Sequence, residues 1–271
     1  MKNSIIFAIL VILLFALQGY AKIDPASIIG IWLFDEGRGD IARDSSQNNN
    51  DGTITKGCEW VDGKFGRAIE FDSKDEYVKI PPSELFNPKT FTFTFWMFPH
   101  VIGGNNPVGK GTSTLIVVNG NPGDGGGGNW WFELWNGGNF EFKSCQSGCS
   151  AANTSITAID KWYFIAGIYN GTEYELYVDG EFRSKGANKV GAPIKGILIG
   201  DGLCPAGHGC DGGYFNGIVD DVGMFNGILT KDDIAELMNK GLAKTFGLKL
   251  SVLPLQKLFD TWGSIKYAAD R

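Results

Sequence analysis

Acidic residues occur in several strand-like segments of the 271-residue chain, and paired carboxyl groups are what enzymes most often use to cleave glycosidic bonds. A retaining hydrolase needs its two carboxyl groups about 5 Å apart, which alternate positions on one strand face can supply. No Glu-x-Asp-x-x-Glu run is present, and the adjacent Asp220 and Asp221 are expected to point to opposite faces of a strand. Glu133 and Glu141 lie on segments separated by a turn, with no partner identifiable from sequence. We therefore expect a protein that is not an enzyme.

A polar loop, Asp44-Ser-Ser-Gln-Asn-Asn-Asn-Asp-Gly52, offers several hard oxygen ligands, among them Asp44 and Asn50. Calcium takes about six to eight such oxygens from carboxylates, amide carbonyls and the backbone. The alternative is a turn whose Asn and Asp side chains bind their own backbone, as these residues readily do. The loop therefore predicts either part of a structural calcium site or a self-satisfied turn.

Aromatic residues cluster in the segment Asn129-Trp-Trp-Phe-Glu-Leu-Trp135, beside a glycine-rich stretch. Aromatic rings displayed near loops can stack on the apolar faces of sugar rings, while amide groups bind the hydroxyls. The predicted ligand-binding residues are Asn129, Trp130, Trp131, Trp135 and His208. Because Trp130 and Trp131 are adjacent, at least one of them is expected to lie in the core. The glycine-rich stretch is not predicted to bind phosphate, since no Gly-Lys-Ser/Thr follows it.

Five cysteines fit an oxidising compartment. Cys145 and Cys149 lie close together in sequence, as do Cys204 and Cys210, so two local disulfides are predicted and Cys58 is left over. A zinc site is the weaker alternative because the spacings match no common zinc motif. Such short disulfide loops would stiffen surface segments more than they stabilise the whole fold, since closure entropy grows with loop length.

The first residues of the chain have the order of a secretory signal peptide. Lys2 precedes an apolar run from Ile5 to Leu17, and Gly19 and Ala21 supply small residues before a cleavage point. The predicted signal peptide is residues 1–21. The apolar run is shorter than the roughly 20 residues needed to cross a bilayer, so no membrane span is expected after cleavage. We therefore predict a secreted, extracellular protein.

The chain carries 24 basic and 30 acidic residues, a formal net charge of −6. An acidic surface argues against nucleic acid and anionic membranes as partners, because both are themselves negatively charged.

Short apolar segments separated by glycine-rich turns follow the predicted signal peptide, and 39 residues are glycine. Thr90 to Phe95 alternates Thr with Phe, which predicts a strand with one buried face. Asp179-Gly180 is typical of a hairpin turn in which both residues take positive φ. Strands are predicted at residues 29–34, 68–71, 76–80, 90–95, 113–118, 130–135, 139–143, 162–169, 173–178, 194–199 and 215–225. So many strands without intervening amphipathic helices predict an all-β protein with two packed sheets.

One short C-terminal helix is predicted. Thr230 and Asp233 resemble the start of a capping box, and Gly241 is expected to end the helix. Beyond it, residues 244–271 are interpreted as an irregular extension.

Five motifs follow one another in a characteristic order: Gly30-Ile-Trp-Leu-Phe-Asp-Glu-Gly37, Gly63-Lys-Phe-Gly-Arg-Ala-Ile-Glu-Phe-Asp72, Phe91-Thr-Phe-Thr-Phe-Trp96, Leu176-Tyr-Val-Asp-Gly180 and Gly217-Ile-Val-Asp-Asp-Val222. The series resembles the laminin-G-like jelly-roll domains of the concanavalin A-like lectin/glucanase superfamily. The resemblance implies a two-sheet antiparallel jelly-roll sandwich, which we place at residues 22–243.

The resemblance also implies that the first and last strands lie side by side. That arrangement would bring the Asp35–Gly52 region near Asp220 and Asp221, with a calcium ion joining the two ends of the domain. The predicted metal ligands are Asp44, Asn50, Asp220 and Asp221.

Taken together, the motifs predict a secreted, non-catalytic binding module that recognises carbohydrate or an extracellular glycoconjugate and is stabilised by calcium. The expected partner is a carbohydrate or an extracellular glycoprotein. A protein-binding adhesion module is the alternative, and a glycoside hydrolase is less favoured. Fold alone does not decide between these functions.

Overall fold

The structure, a computed structural model, describes residues 23–72, 76–102, 113–119, 130–144, 150–187, 196–200 and 215–248. The predicted signal peptide lies outside these ranges. Among the described residues, no helix is long and apolar enough to span a membrane.

The described part of the chain is mostly β-structure, with one α-helix near its C-terminal end. The strands are β1 (Ile28–Trp32), β2 (Ile41–Ala42), β3 (Gly52–Ile54), β4 (Glu59–Asp62), β5 (Arg67–Phe71), β6 (Val78–Ile80), β7 (Phe91–Pro99), β8 (Ser113–Asn119), β9 (Trp130–Trp135), β10 (Asn139–Ser144), β11 (Ser150–Ser155), β12 (Tyr163–Tyr169), β13 (Glu173–Val178), β14 (Glu181–Ala187), β15 (Ile197–Ile199) and β16 (Gly217–Asn226). The helix, α1, is Lys231–Phe246. The all-β prediction is confirmed; β2, β3, β4 and β11 are strands that the sequence patterns did not predict.

Two antiparallel sheets of eight strands each form a sandwich. Sheet A has the order β14-β13-β12-β7-β16-β5-β4, with β1 paired to β16. Sheet B has the order β11-β10-β9-β8-β15-β6-β3-β2. Strands distant in sequence lie side by side in both sheets, which agrees with the predicted jelly roll.

The inner core lies between the two sheets and is dominated by aromatic rings. On β7, Phe91, Phe93 and Phe95 point inward, as the Thr-Phe alternation predicts. The prediction that only one face of this strand is buried is wrong, because Thr92 and Thr94 on the other face are also buried. From sheet B, Trp130 places its ring centre 5.0 Å from that of Phe91 and 5.1 Å from that of Phe93. Phe132 of the same strand packs edge-on against Phe95 at 5.1 Å. Burying each such ring stabilises the fold by roughly 1.5–3 kcal/mol.

A second core lies between the outer face of sheet A and helix α1. Trp96 and Phe164 of the sheet and Ile234 and Leu237 of the helix are buried in it. Thr230 begins the helix with a capping box, in which its hydroxyl accepts from the Asp233 amide and the Asp233 carboxylate accepts from the Thr230 amide.

Gly241 ends the first, regular part of α1, as the sequence predicts, because it takes the non-helical φ of 74°. Helical backbone resumes after it and runs to Phe246, so the first residues of the predicted irregular extension are helical. Gly247, at φ 63°, is the cap of this second part. Gly241 has no room for a Cβ because the ring of Phe65 packs directly against it. The glycine is therefore required by this close contact as well as by its backbone conformation.

The first and last strands of the sandwich lie side by side, as the sequence predicts. Trp32 of β1 is opposite Val222 of β16, and Ile31 is opposite Gly223. The hairpin prediction is also confirmed, since Asp179 and Gly180 take φ values of 53° and 77° between β13 and β14.

One edge of sheet A meets one edge of sheet B, where β14 lies against β11. The Ser184 hydroxyl accepts a hydrogen bond from the Asn153 amide and donates one to the Asn153 carbonyl, both at 2.6 Å. A Cβ at Gly186 would collide with the carbonyl oxygen of Ala151. These contacts cover two strand edges that would otherwise be free to pair with another chain.

Candidate functional site

The outer face of sheet B carries two tryptophans and three charged residues on adjacent strands. Residues 130, 132 and 134 of β9 point into the inner core, so Trp131, Glu133 and Trp135 point outward. On the neighbouring β10, Glu141 and Lys143 face the same way. We call these five residues the Trp–Glu–Lys cluster.

Register brings the charged side chains of the cluster together. Glu141 is directly opposite Glu133, and Lys143 is directly opposite Trp131. The Lys143 ammonium lies 2.6 Å from a carboxylate oxygen of Glu133 and 2.6 Å from one of Glu141. Cross-strand neighbours of this kind can interact directly because their Cβ atoms are only about 5 Å apart.

The two indoles are held by the same carboxylates. Trp131 Nε1 donates to Glu133 Oε2 at 3.0 Å, and Trp135 Nε1 donates to Glu141 Oε2 at 2.9 Å. The Lys143 ammonium lies 4.6 Å from the centre of the Trp135 ring and 5.7 Å from that of Trp131. Both contacts are within the range of a cation–π interaction. Both rings remain half-buried, so part of each is accessible.

The charges of the cluster are largely removed from water. The side chains of Glu133 and Lys143 are 3% and 10% exposed, and that of Glu141 is 15% exposed. Burial alone would raise the pKa of Glu141, but the hydrogen bond and charge of Lys143 outweigh it, so this pKa lies below its ordinary value. Glu141 is therefore ionised at neutral pH and can only accept hydrogen bonds.

A second group of carboxyl groups lies near the junction of β16 with the helix. Asp220 Oδ2 accepts from the Phe65 amide at 2.9 Å, and Asp221 Oδ2 accepts from the Leu242 amide at 2.7 Å. Asp35 Oδ1 accepts from the Arg67 amide at 2.8 Å. All three side chains are buried, and Asp220 Oδ1 has no hydrogen-bond partner among the described residues.

The prediction that Asp220 and Asp221 point to opposite faces is wrong. Val219 and Val222, on either side of them, both face the inner core. A bulge lies between Asp220 and Gly223, and Asp221 takes φ 51°, so both aspartates fit on the outer side of the sheet. A strand that accommodates one extra residue loses the strict alternation on which the prediction depends.

The three carboxyl groups disfavour one another's ionisation. Burial raises the pKa of Asp220 well above its ordinary value, and the charge of Asp221 adds to the effect. Burial raises the pKa of Asp221 to about 7, a shift that the Leu242 amide opposes and the charge of Asp35 increases. The pKa of Asp35 is also raised by its burial. A bound cation would relieve this repulsion.

The predicted calcium ligands in the polar loop have other partners. Asp44 Oδ1 accepts from the amides of Ile31 and Ser46, and Oδ2 accepts from that of Asn50. The Asn50 side chain donates to the Ile29 carbonyl. This loop therefore has the bonding of a self-satisfied turn that fastens β1 to the following chain.

Of the four predicted metal ligands, Asp220 is the one with a buried carboxylate oxygen that has no hydrogen-bond partner among the described residues. The charge of Asp35, rather than that of Asp44, contributes to the raised pKa of Asp220. Among the described residues, no three His, Cys, Asp or Glu side chains form a ready-made metal site. Calcium binding would therefore require the Asp35, Asp220 and Asp221 carboxyl groups to turn toward a common point, and it stays a prediction.

The sequence of residues 72–235, more than half of the chain, matches the family of laminin-G-like domains described as the concanavalin A-like lectin/glucanases superfamily. The chain belongs to this family. No curated protein matches the sequence.

Solved structures of the same fold include several binding domains. Domain 4 of AbnA, an extracellular arabinanase from Geobacillus stearothermophilus solved with arabinotriose, superimposes with a TM-score of 0.61 at 18% identity, covering 78% of this chain and 98% of that one. The ligand-binding domain of botulinum neurotoxin serotype D, solved with N-acetylneuraminic acid, gives 0.58 at 14% identity, covering 79% and 51%. A Trypanosoma rangeli sialidase mutant gives 0.60 at 16% identity, covering 80% and 33%. This laminin-G-like chain thus spans about half of the toxin domain and a third of the sialidase, and identities this low show the fold alone.

The structure separates the predicted ligand-binding residues of the laminin-G-like domain. Trp131 and Trp135 lie on the outer face of sheet B, whereas Trp130 is 1% exposed in the inner core and is therefore not available to a ligand. Two adjacent strand residues point to opposite faces, so one tryptophan is internal, as expected. Asn129 and His208 lie outside the described residues.

Sequence reasoning missed Lys143 and did not pair Glu133 with Glu141. The sequence signal was that alternate residues of a strand share a face. Residues 131, 133 and 135 therefore share one face of β9, and residues 141 and 143 share one face of β10. Combining the two faces also required the register of the β9–β10 hairpin, in which Phe140 is opposite Leu134. The three-residue turn between the strands could have supplied that register.

Glu133 and Glu141 are close together but do not have the electrostatics of a catalytic pair. Each has an oxygen 2.6 Å from the same nitrogen, so these two oxygens are at most about 5 Å apart, and retaining hydrolysis uses carboxyl groups about 5 Å apart. An acid catalyst, however, must hold a proton near neutral pH, which requires a raised pKa. Lys143 instead lowers the pKa of Glu141, so this residue does not hold a proton near neutral pH. The arrangement is therefore suited to fixing side chains rather than to transferring protons.

The predicted disulfide cysteines Cys145, Cys149, Cys204 and Cys210 lie outside the described residues. Cys58 is a free thiol, half-buried beside Thr55 and the Tyr77 carbonyl. Burial raises the pKa of the Cys58 thiol to about 11, so it is protonated at neutral pH and a poor nucleophile.

An open cleft of about 500 Å³ lies at one end of the sandwich, between His100 and Ile159. Val101, Ile102, Gly137 and Thr157 complete its lining. The His100 ring is held between Asp160 at 2.8 Å and Glu70 at 2.9 Å. Both ring nitrogens are thus engaged by protein groups, and the rest of the lining offers few polar groups for a ligand.

Proposed function

We propose that the protein is a secreted, non-catalytic binding module that takes a carbohydrate on the Trp–Glu–Lys cluster. The observation that carries the proposal is the pair of half-buried indoles, Trp131 and Trp135, fixed on one face of one strand beside carboxylate acceptors. Sugar sites combine flat apolar surfaces with a few placed polar groups, and the cluster offers both.

The two rings are close enough to contact one short oligosaccharide together. Both ring centres lie near the Lys143 ammonium, Trp135 at 4.6 Å and Trp131 at 5.7 Å, so they are about 10 Å apart or less. Their indole nitrogens are bonded to carboxylates, so the rings do not turn freely. A rigid platform binds with less entropy loss than a mobile one.

A glycan array tests the proposal, using protein recovered from the medium of the expressing cell. We expect binding to oligosaccharides that falls at least tenfold in Trp131→Ala and Trp135→Ala. Trp60→Ala is the matched control, because Trp60 is also half-buried but lies on edge strand β4 of sheet A. Equal binding by all three variants would place the ligand elsewhere on the molecule.

Protein binding is the alternative function, and it is favoured by exposed apolar side chains on sheet A and in the connection between β16 and α1. Phe182 is 49% exposed beside Tyr177, and Ile228 is 55% exposed. A pull-down from the native extracellular fluid, with Phe182→Ser as the comparison, separates this function from the first. Protein capture that Phe182→Ser abolishes, together with silence on the glycan array, would replace the carbohydrate proposal.

Hydrolysis is the third possibility, and the pairing of Lys143 with both glutamates argues against it. We expect no release of reducing ends from β-glucans or galactans above a blank reaction. Reproducible turnover that disappears in Glu133→Gln would contradict the non-catalytic proposal.

We also propose that calcium stabilises the domain at Asp220, with Asp35 and Asp221 as neighbours. The supporting observation is the buried, unpartnered Oδ1 of Asp220 among carboxyl groups that repel one another.

A further inference from the structure

The Trp–Glu–Lys cluster carries a net negative charge. Glu133 and Glu141 supply two carboxylates and Lys143 one ammonium group. Lys143 is the one cation in ion-pair contact with either glutamate among the described residues. One negative charge therefore stays uncompensated at a place where little water reaches it.

Lys143 is not available to a ligand. Its ammonium is shared between two carboxylate oxygens at 2.6 Å, lies over the Trp135 ring, and is 10% exposed. An acidic sugar approaching the two indoles would need a free cation to offset the loss of its hydration. It would instead meet the Glu141 carboxylate, which at 15% exposure is the most accessible of the three charged side chains of the cluster.

Glu141 is also the hydrogen-bonding group that such a ligand would reach first. Its Oε1 accepts from the Asn139 amide group at 2.8 Å and its Oε2 from Trp135 and Lys143. An ionised carboxylate is an acceptor only, so it can bind a sugar hydroxyl or an ammonium group but repels another carboxylate.

We propose that the Trp–Glu–Lys cluster discriminates between sugars by charge, accepting uncharged or amino-bearing sugar units and excluding acidic ones. This inference rests on the proposed carbohydrate function of the same surface and adds the class of sugar. Like-charge contact is an effective way to reject a competitor, because it costs the wrong ligand more than a missing contact would.

Two matched pairs of oligosaccharides test the inference by titration calorimetry, alongside an array of neutral, amino-bearing and acidic glycans. Tetragalacturonate and its methyl ester differ in their negative charges, whereas chitotetraose and its deacetylated form differ in their positive charges. We expect the methyl ester to bind at least tenfold more tightly than the acid. The deacetylated form should equal or exceed chitotetraose, and any advantage should shrink as salt rises from 20 to 300 mM.

A charge-neutral variant locates the effect. Glu141→Gln keeps an oxygen acceptor for Trp135 but removes the uncompensated charge, so it should bring the two members of each pair to within about threefold of each other. Glu173→Gln is the control, because Glu173 pairs with Lys185 on sheet A, away from the cluster, and should leave both ratios unchanged. Melting curves of each variant confirm that it is folded.

The possible outcomes distinguish failure of the charge rule from failure of the carbohydrate-binding proposal. Hits confined to neutral or amino-bearing glycans support it. Preferential binding of acidic glycans, or ratios that Glu141→Gln leaves unchanged, would overturn the charge rule while leaving a carbohydrate-binding protein. Silence across the whole array would overturn both.

Discussion

The ammonium nitrogen of Lys143 lies 2.6 Å from Glu133 Oε2 on the outer face of sheet B, and both side chains are 10% exposed or less. An ion pair this far removed from water is costly to break from one side, because the remaining charge has no partner and little solvent. Lys143 also pairs with Glu141, so it holds two carboxylates in place at once.

Lys143→Met should therefore destabilise the protein by about 3 kcal/mol, the usual cost of leaving a buried charge unpaired. For a domain of this size that lowers the melting temperature by roughly 6–12 °C. Adding Glu133→Gln to Lys143→Met should restore part of the loss, since one unpaired charge is removed. Lys185→Met, at an exposed pair with Glu173, should change the melting temperature little. A Lys143→Met protein as stable as the original would mean that water already reaches the cluster.

Trp130 and Trp135 are five residues apart on one strand, and truncating them should affect different properties. Trp130→Ala should lower stability, whereas Trp135→Ala should lower glycan binding. Trp130→Ala removes a ring packed between Phe91 and Phe93 and should cost about 3–5 kcal/mol. Trp135→Ala removes a half-buried outer ring and should cost about 1 kcal/mol or less, while abolishing glycan binding. Urea unfolding measures the first effect and the array the second. Comparable destabilisation by both would contradict the assignment of Trp135 to a surface site.

The sandwich itself was predictable because the strands of this chain are strongly patterned. Thr90 to Phe95 alternates without a break and does form a strand, and Asp179-Gly180 forms the predicted left-handed turn. The alternation did not reveal that Thr92 and Thr94 are buried as well, because the elements that cover the outer face of sheet A are distant in sequence. Strand β2 has two residues and β3 has three, which is too short for an alternating pattern to be recognised in the sequence. Strand β11 reads Ser-Ala-Ala-Asn-Thr-Ser and has almost no apolar signal, because it is an edge strand fastened by Ser184.

The candidate site was less predictable because its contacts depend on register and bulges. Trp131 and Trp135 were identified from their residue type, but Lys143 became part of the site only through pairing of β10 with β9. Asp220 and Asp221 were recognised as a pair, whereas the bulge that puts them on one side has no sequence signature. Asp44 has the composition of a calcium ligand, yet backbone amides at the same loop compete successfully for its oxygens.

The cysteines should divide into two reactivity classes. In protein purified from the medium, non-reducing peptide mapping should find Cys145 joined to Cys149 and Cys204 joined to Cys210. Cys58 should be the one residue that alkylates, and slowly at pH 8 until denaturant is added, because burial raises the pKa of its thiol to about 11. Any disulfide that includes Cys58 would contradict this assignment.

Stability should depend on pH through the three buried aspartates. The pKa of each is raised in the folded state, to about 7 for Asp221, so above about pH 4 the folded protein binds more protons than the unfolded chain. Stability from these groups is therefore complete below about pH 4 and falls as the pH rises, the Asp221 contribution being lost through about pH 7. In chelator, the melting temperature should be several degrees higher at pH 5 than at pH 7.5. Both pH values lie above 4.5, the ordinary pKa of Glu141 and Glu173, whose lowered pKa values act in the opposite direction mainly below pH 4.5.

Calcium should reverse this loss at neutral pH if it binds at Asp220. A ligand that binds only the folded state at a hundredfold excess over its Kd adds about 2.7 kcal/mol, which corresponds to roughly 5–11 °C. The shift should be larger at pH 7.5 than at pH 5, because protons compete with the cation for the same carboxyl groups. Asp220→Asn should remove most of this shift.

Two other variants serve as comparisons. Asp44→Ala should destabilise the polar loop yet leave the calcium shift, since the Asp44 oxygens are bonded to backbone amides. Asp232→Asn, on the exposed face of α1, is the control. Identical melting temperatures in calcium and chelator at pH 7.5 would contradict the calcium proposal.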